Sequence, residues 1–167
     1  MDRGKGLIII LDTKPLTNLA MLKVKNRLLD GDQLPYIRVY EELNKMIGIK
    51  RQSIYTTEAV ITQTVYFLRT RGSLNNKAIA RTLKSIVNGT IHTDLNKVLN
   101  SQIFLKGFDY ANATLFHLAS ELLRLGTPNV IITSDYSLKN IARKNGLIAY
   151  TIIDLYFHPD IMREIIK

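Results

Sequence analysis

The sequence predicts an α/β fold with a mainly parallel central sheet and helices on both faces. Two unbroken apolar runs, residues 7–11 and 130–132, each stop at a cluster of Thr, Ser and Asp residues. This pattern is typical of buried parallel strands that carry a polar side chain to their carboxyl edge. Because ligands of such sheets lie outside that edge, we expect Asp12 and Asp135 to face one crevice.

The first half of the chain alternates strands with helices. Pro15 suits the first position of a helix that follows the first strand and ends near Gly31. Apolar spacing predicts a second helix over residues 36–47. The β-branched and aromatic residues 53–57 predict a second strand, and the helix after it runs to Gly72.

The second half continues this alternation, which implies strands joined by helical crossovers in a three-layer α/β/α arrangement. Its predicted elements are, in order, a helix over 73–89, a less regular passage over 90–106 with a short helix near 95–99, a helix over 111–125, a strand over 130–133, a helix over 137–145, a strand over 147–153, and a short terminal helix after a loop with His158 and Asp160.

Composition narrows the class of protein. A length of 167 residues fits one domain, and a net charge of +9 favours polyanionic partners such as nucleic acid. The sequence has no cysteine, which excludes disulfides, thiolate zinc sites and a cysteine nucleophile. The apolar run at residues 7–11 is too short for a signal peptide or a membrane span, so we expect a soluble, cytoplasmic protein with no membrane partner.

Four segments carry a resemblance to a known family: IIILDT, IYTTEAVITQT, the Leu-Ala-Ser-Glu-Leu helix and VIITSDYSLKNIARKNGL. In this order they resemble the conserved blocks of PIN-domain ribonucleases. The similarity is greatest to PIN nucleases that mature the 3′ end of small-subunit ribosomal RNA, and more distant to VapC-type toxins. It implies a single PIN-like domain over residues 1–167, with helical insertions at 31–50 and 73–106, and cleavage of single-stranded RNA with Mg²⁺ or Mn²⁺.

The resemblance also implies a catalytic site. PIN enzymes hold their metal with about four carboxylates, and Asp12 and Asp135 match two of them as metal ligands. The other two positions carry Gln63 and Asn112, whose amide oxygens bear no charge. Asp109, three residues before Asn112, is a candidate replacement acid. The expected activity is therefore weak, and the alternative is a catalytically degenerate PIN-like module for RNA binding or assembly.

Simpler roles exist for each of these acids. Asp12, Asp109 and Asp135 all stand where a helix N-cap is expected, and Glu58 suits the positive end of a helix dipole. An aspartyl-phosphate phosphohydrolase is disfavoured, because Lys14 occupies the position of its usual second Asp. The sequence is compatible with both the site interpretation and the capping interpretation.

Further residues are candidates for contacts with RNA. Basic and hydroxyl side chains near the predicted edge can contact phosphates, and Tyr55 and Tyr66 lie close in sequence to several of them. The candidates are Thr13, Thr133, Ser134, Lys139, Arg143, Lys144, Arg69 and Arg71. The alternative for the charged ones is an ordinary solvated surface. A homodimer or a protein partner is also possible, with the helix over 36–47 as one candidate face.

Overall fold

The computed structural model of the protein describes residues 6–29, 35–48 and 53–166. Within them, five parallel strands form one sheet in the order β3-β2-β1-β4-β5. The strands are β1 (Ile8–Leu11), β2 (Ser53–Thr57), β3 (Gly89–Ile91), β4 (Asn129–Thr133) and β5 (Ala149–Thr151). The predicted α/β class with a parallel sheet is confirmed.

Helices flank this sheet and complete a three-layer α/β/α fold. They are α1 (Thr13–Lys25), α2 (Ile37–Gly48), α3 (Glu58–Thr70), α4 (Asn76–Ile86), α5 (Leu95–Leu99), α6 (Gln102–Leu105), α7 (Tyr110–Arg124), α8 (Tyr136–Lys144), α9 (Ile152–Phe157) and α10 (Pro159–Ile166). Helix α1 packs beside α2, α3 and α4, whereas α7 packs beside α5, α6 and α8. None of the helices in the described segments is both long enough and apolar enough to cross a membrane.

The centre of the sheet sets the position of the site. Strands β1 and β4 are buried on both faces, which explains the apolar runs at residues 8–11 and 130–132. Leu11 pairs with Ile132, and the Asp12 backbone N–H donates to the Ile132 carbonyl at 3.0 Å. The chain therefore leaves both strands at the same edge, with Asp12 on one side and Thr133 on the other.

Several predicted element boundaries are wrong. The helix predicted over 73–89 spans only Asn76–Ile86, and Gly89 belongs to β3. Helix α1 was expected to end near Gly31, which lies outside the described residues, but it ends at Lys25. Asn26 adopts a left-handed conformation (φ 50°) and its N–H donates to the Leu22 carbonyl, which terminates the helix. The last strand was expected over 147–153 but spans only Ala149–Thr151, because Thr151 and Asp154 form a capping box that starts α9.

The passage over 90–106 is more ordered than its sequence predicts. The short helix near 95–99 is confirmed as α5, but β3 and α6 were not predicted. Gly89 opens β3 without a side chain, since a Cβ there would collide with the ring of Tyr55. Two segments were interpreted as helical insertions. The described part of 31–50 contains α2, and the segment 73–106 contains α4, α5 and α6 together with β3.

Candidate functional site

A cavity of about 660 Å³ opens at the carboxyl edge of the sheet. All five residues predicted as catalytic line it, although they come from four separate parts of the chain. The lining residues are Asp12, Thr13, Lys14, Thr62, Gln63, Tyr66, Phe67, Asp109, Asn112, Ser134 and Asp135. The crossover connections of the parallel sheet thus bring the ends of β1 and β4 together with the first turns of α1 and α7 and with the second and third turns of α3.

Asp12 is the most buried acid of the cavity, with 7% of its surface exposed. Its Oδ1 accepts from the Thr13 backbone N–H at 2.6 Å, and its Oδ2 accepts from the Thr133 hydroxyl at 2.6 Å. Burial raises the pKa of Asp12, and the nearby charges of Asp109 and Asp135 raise it further, against the lowering effect of these two hydrogen bonds. The cavity therefore holds an excess of negative charge that a bound cation would offset.

Asp135 is held on both carboxylate oxygens. Oδ1 accepts from the backbone N–H groups of Ser137 (2.7 Å) and Leu138 (3.1 Å), which caps α8. Oδ2 accepts from the Asn112 side-chain amide at 2.8 Å. These contacts fix the carboxylate in place, and Oδ2, which accepts only one of the three hydrogen bonds, keeps lone-pair capacity for a further ligand.

The hydroxyl of Thr133 connects the two acids. It donates to Asp12 Oδ2 and accepts from the Asp135 backbone N–H at 2.9 Å. Thr133 is fully buried, so it positions the acids, and its predicted direct contact with RNA is wrong. Thr13 is mostly buried but lines the cavity, and its hydroxyl donates to Gln63 Oε1 at 2.7 Å, so it positions a site side chain, while its contact with RNA stays a prediction.

The three acids of the cavity are also helix N-caps, so the capping and the site interpretations are compatible. Asp12, Asp109 and Asp135 are the N-caps of α1, α7 and α8, and Asp109 accepts from the Asn112 backbone N–H at 2.8 Å. Glu58 stands in the first turn of α3 and contacts His92 Nδ1 at 2.6 Å. A capping carboxylate is held close to its own helix N-terminus, which turns a flexible side chain into a fixed one.

The oxygen atoms of the cavity suit a hard divalent cation. Asp12 and Asp135 supply carboxylates, and Gln63 and Asn112 supply amide groups. In the segments that the structure describes, no three acidic or histidine side chains lie close enough together to hold a metal ion. Mg²⁺ commonly binds through one or two carboxylates, with water and substrate phosphate as the other ligands. The residues present fit that incomplete kind of site.

Two basic residues predicted to contact RNA have partners within the protein. Lys139 is only 8% exposed, and its Nζ lies 3.1 Å from Asp154 Oδ2. The Arg143 Nε donates to the Ala149 carbonyl at 2.8 Å, beside a different cavity along β5. The charge of Lys139 is thus neutralised by Asp154, and the hydrogen bond of Arg143 connects α8 to the edge strand β5.

The other predicted contacts differ in their relation to the cavity. Ser134 lines it, whereas Lys144 and Arg69 are exposed at positions outside its lining, and Arg69 donates to Asn76 Oδ1 at 2.8 Å. Arg71 is exposed, and its guanidinium carbon lies 5.1 Å from the centre of the Phe67 ring.

Several residues that line the cavity were not predicted from the sequence. Lys14 and Phe67 were not predicted, and Tyr66 was noted only for its closeness in sequence to basic residues. The available signals were the position of Lys14 two residues after the first acid and the placement of Tyr66 and Phe67 one helical turn beyond Gln63.

Comparison with known proteins adds no family assignment. No family model matches the chain, and no curated protein matches it. The functional interpretation therefore depends on the geometry of the cavity and on the short blocks of sequence that resemble PIN ribonucleases.

Proposed function

We propose that the protein is a PIN-type, metal-dependent endoribonuclease that cleaves single-stranded RNA slowly. The observation that carries the proposal is the link through Thr133, which joins Asp12 at the end of β1 to the start of the Asp135 loop. These two acids are separated by more than a hundred residues in sequence, yet they face one cavity. A net charge of +9 favours a polyanionic substrate.

Each side chain of the cavity has a distinct role in this proposal. Asp12 and Asp135 would hold Mg²⁺ or Mn²⁺, which when bound lowers the pKa of a water molecule and offsets phosphate charge. Thr133 positions the Asp12 carboxylate and the backbone of Asp135. Gln63 and Asn112 offer amide groups that orient water or a phosphate oxygen, and Asp109 adds negative charge at the start of α7.

Activity is expected to be weak for a reason that the hydrogen bonds make specific. Gln63 accepts a hydrogen bond from Thr13, and Asn112 donates one to the Asp135 oxygen that faces it. A carboxylate at position 112 would repel that oxygen and strengthen attraction for a cation. The amide instead satisfies Asp135 without metal, and this contact also favours the second candidate, an RNA-binding or assembly module with little or no hydrolysis.

The experiment is a cleavage assay on labelled single-stranded RNA with Mg²⁺ or Mn²⁺. We expect slow cleavage, greater with Mn²⁺, that Asp12→Asn abolishes. The matched control is Asp160→Asn, an exposed acid that pairs with Arg163 outside the cavity, and it should cleave like the unmodified protein. The double variant Gln63→Glu with Asn112→Asp should cleave at least about tenfold faster, since it restores two carboxylates.

The two candidates give different results in this assay. Cleavage that survives Asp12→Asn, or a double variant that gains nothing, contradicts the nuclease proposal. RNA binding without cleavage by every variant favours the degenerate module. Under either candidate we place the protein in the cytoplasm with RNA as its partner, in RNA maturation or in a toxin system, with a homodimer or a protein partner as further possibilities.

A further inference from the structure

An exposed tyrosine lines the cavity beside the acids. Tyr66 is 63% exposed, although it belongs to a helix that buries Val60, Thr64 and Leu68 on its other side. Packing of α3 therefore does not require an aromatic residue at position 66. The Tyr66 ring contacts the ring of Phe67 edge to face, with ring centres 5.6 Å apart. Most of the surface of Tyr66 is therefore accessible to solvent.

Two smaller cavities adjoin this one. A cavity of about 120 Å³ shares Lys14 and Phe67 with it and includes Arg71. Another, of about 110 Å³, shares Lys14 and Ser134 and includes Tyr36. Lys14 lines all three, so they are neighbours, and we call the three cavities together the groove. Together they extend beyond a site for a single small ion, which suits an extended chain molecule.

Both cationic and aromatic side chains line this groove. Arg71 is held over the Phe67 ring at 5.1 Å, and Tyr66 lies beside the acids, with Lys14 where the cavities meet. Proteins that bind single-stranded nucleic acid combine positive charge along the backbone with aromatic rings on which bases stack. A base in a duplex has both faces covered by its neighbours, so such a surface selects unpaired nucleotides.

We propose that Tyr66 is a base-stacking subsite for a nucleotide next to the phosphate that a cation at Asp12 and Asp135 would hold, and that Arg71 contacts the backbone further along the strand. This inference rests on the proposed function and specifies its substrate as a single strand with at least one unstacked base near the cleaved bond. Stacking tolerates any base because every base has a π-face, so we infer little sequence preference at this position.

The test uses the absence of tryptophan from the sequence. A Tyr66→Trp variant carries the only tryptophan of the chain, so its fluorescence reports on position 66 alone. We expect saturable quenching by single-stranded RNA and none by an oligonucleotide that is abasic along its length, when both are measured in EDTA in the Asp12→Asn background. Tyr66→Ala should weaken single-strand binding by roughly 5- to 150-fold, whereas Tyr66→Phe should keep it.

Phe157→Ala is the matched control, since Phe157 is 66% exposed and lies outside the groove lining. It should bind RNA like the unmodified protein. Equal quenching by the abasic oligonucleotide, equal binding of duplex RNA, or unchanged affinity of Tyr66→Ala overturns the stacking subsite, and the nuclease proposal then stands or falls on its own assay.

Two further outcomes separate the inference from the proposed function. If base-dependent quenching is found while no variant cleaves RNA, the subsite is supported and the nuclease proposal fails. If single-stranded DNA binds as tightly as RNA, the stacking subsite is supported and RNA selectivity is overturned. Failure of every single-stranded probe to bind overturns the stacking subsite, and the cleavage assay alone then decides the nuclease proposal.

Discussion

Replacement of Thr133 by valine tests the link between the two strand ends. Valine has nearly the shape of threonine but lacks the hydroxyl that donates to Asp12 Oδ2 and accepts from the Asp135 N–H. Because Thr133 is fully buried, no water can substitute freely at this position. Thr133→Val should therefore disorder the acids and destabilise the fold.

The size of the effect follows from the two lost contacts. A hydrogen bond to a charged acceptor contributes about 1.5–3 kcal/mol, and leaving the partly buried Asp135 N–H unpaired costs about 1 kcal/mol. The free energy of unfolding should fall by about 2.5–4 kcal/mol, which corresponds to a Tm lower by roughly 5–16 °C for a chain of this length. Thr133→Ser keeps the hydroxyl and loses one methyl group, at a cost of about 0.8 kcal/mol.

Urea denaturation and thermal melts in EDTA measure both variants. Affinity for Mn²⁺, followed by electron paramagnetic resonance of the free ion, should fall for Thr133→Val and stay near its original value for Thr133→Ser. If the valine variant is as stable as the serine variant, or binds Mn²⁺ equally well, the hydroxyl does not hold the two acids as we describe.

Three further predictions concern stability. Asp12→Asn should raise Tm at pH 7 in EDTA, because burial raises the pKa of Asp12 in the folded state. Thermal melts should show that this gain in Tm disappears below the ordinary pKa of 3.8, where the acid is protonated in both the folded and the unfolded state. Burial alone would raise the pKa of Asp154, but its hydrogen bonds lower the pKa overall. Asp154→Asn should therefore unfold at a lower Tm than the unmodified protein at pH 7, and this difference in Tm should shrink as the pH falls below 3.8 toward the folded-state pKa. Gly72→Ala should cost about 1–3 kcal/mol in urea denaturation, since its Cβ would lie 2.6 Å from the Leu68 carbonyl oxygen and 2.8 Å from Met21 Sδ.

The central strands were predictable because their burial is recorded locally in the sequence. Strands β1 and β4 are covered on both faces, so residues 8–11 and 130–132 are all apolar before the chain reaches the edge. Parallel pairing then places the residues after each strand together, and this carries Asp12 and Asp135 to one cavity without any further information. Edge strand β3 has no such signal, since it is three residues long and only partly buried.

The roles of individual polar side chains depended on partners distant in sequence. Lys139 was expected to meet phosphate because it is a lysine near the edge, but Asp154 on the following helix neutralises it. Thr133 was expected to contact RNA, but the geometry at the end of β4 directs its hydroxyl to Asp12. A single sequence specifies the type of residue at such positions, and only the packing of neighbouring elements decides which groups stay available to a ligand.

Helix capping was the simpler explanation for each acid, and it proved compatible with a shared cavity. Asp12, Asp109 and Asp135 all cap helices whose N-termini point toward the same edge of the sheet. In a parallel α/β fold the carboxyl ends of strands and the N-termini of the helices that follow them lie together. Residue patterns that indicate a cap and those that indicate a ligand therefore coincide, and sequence alone does not separate them.

The most direct test of the account is an anomalous difference map from crystals soaked in Mn²⁺. We predict one peak at the carboxyl edge of the sheet, within coordination distance of both Asp12 and Asp135, and its loss in crystals of Asp12→Asn. A peak elsewhere, or none between these carboxylates at an Mn²⁺ concentration that supports RNA cleavage, would contradict a cation site shared by the ends of β1 and β4.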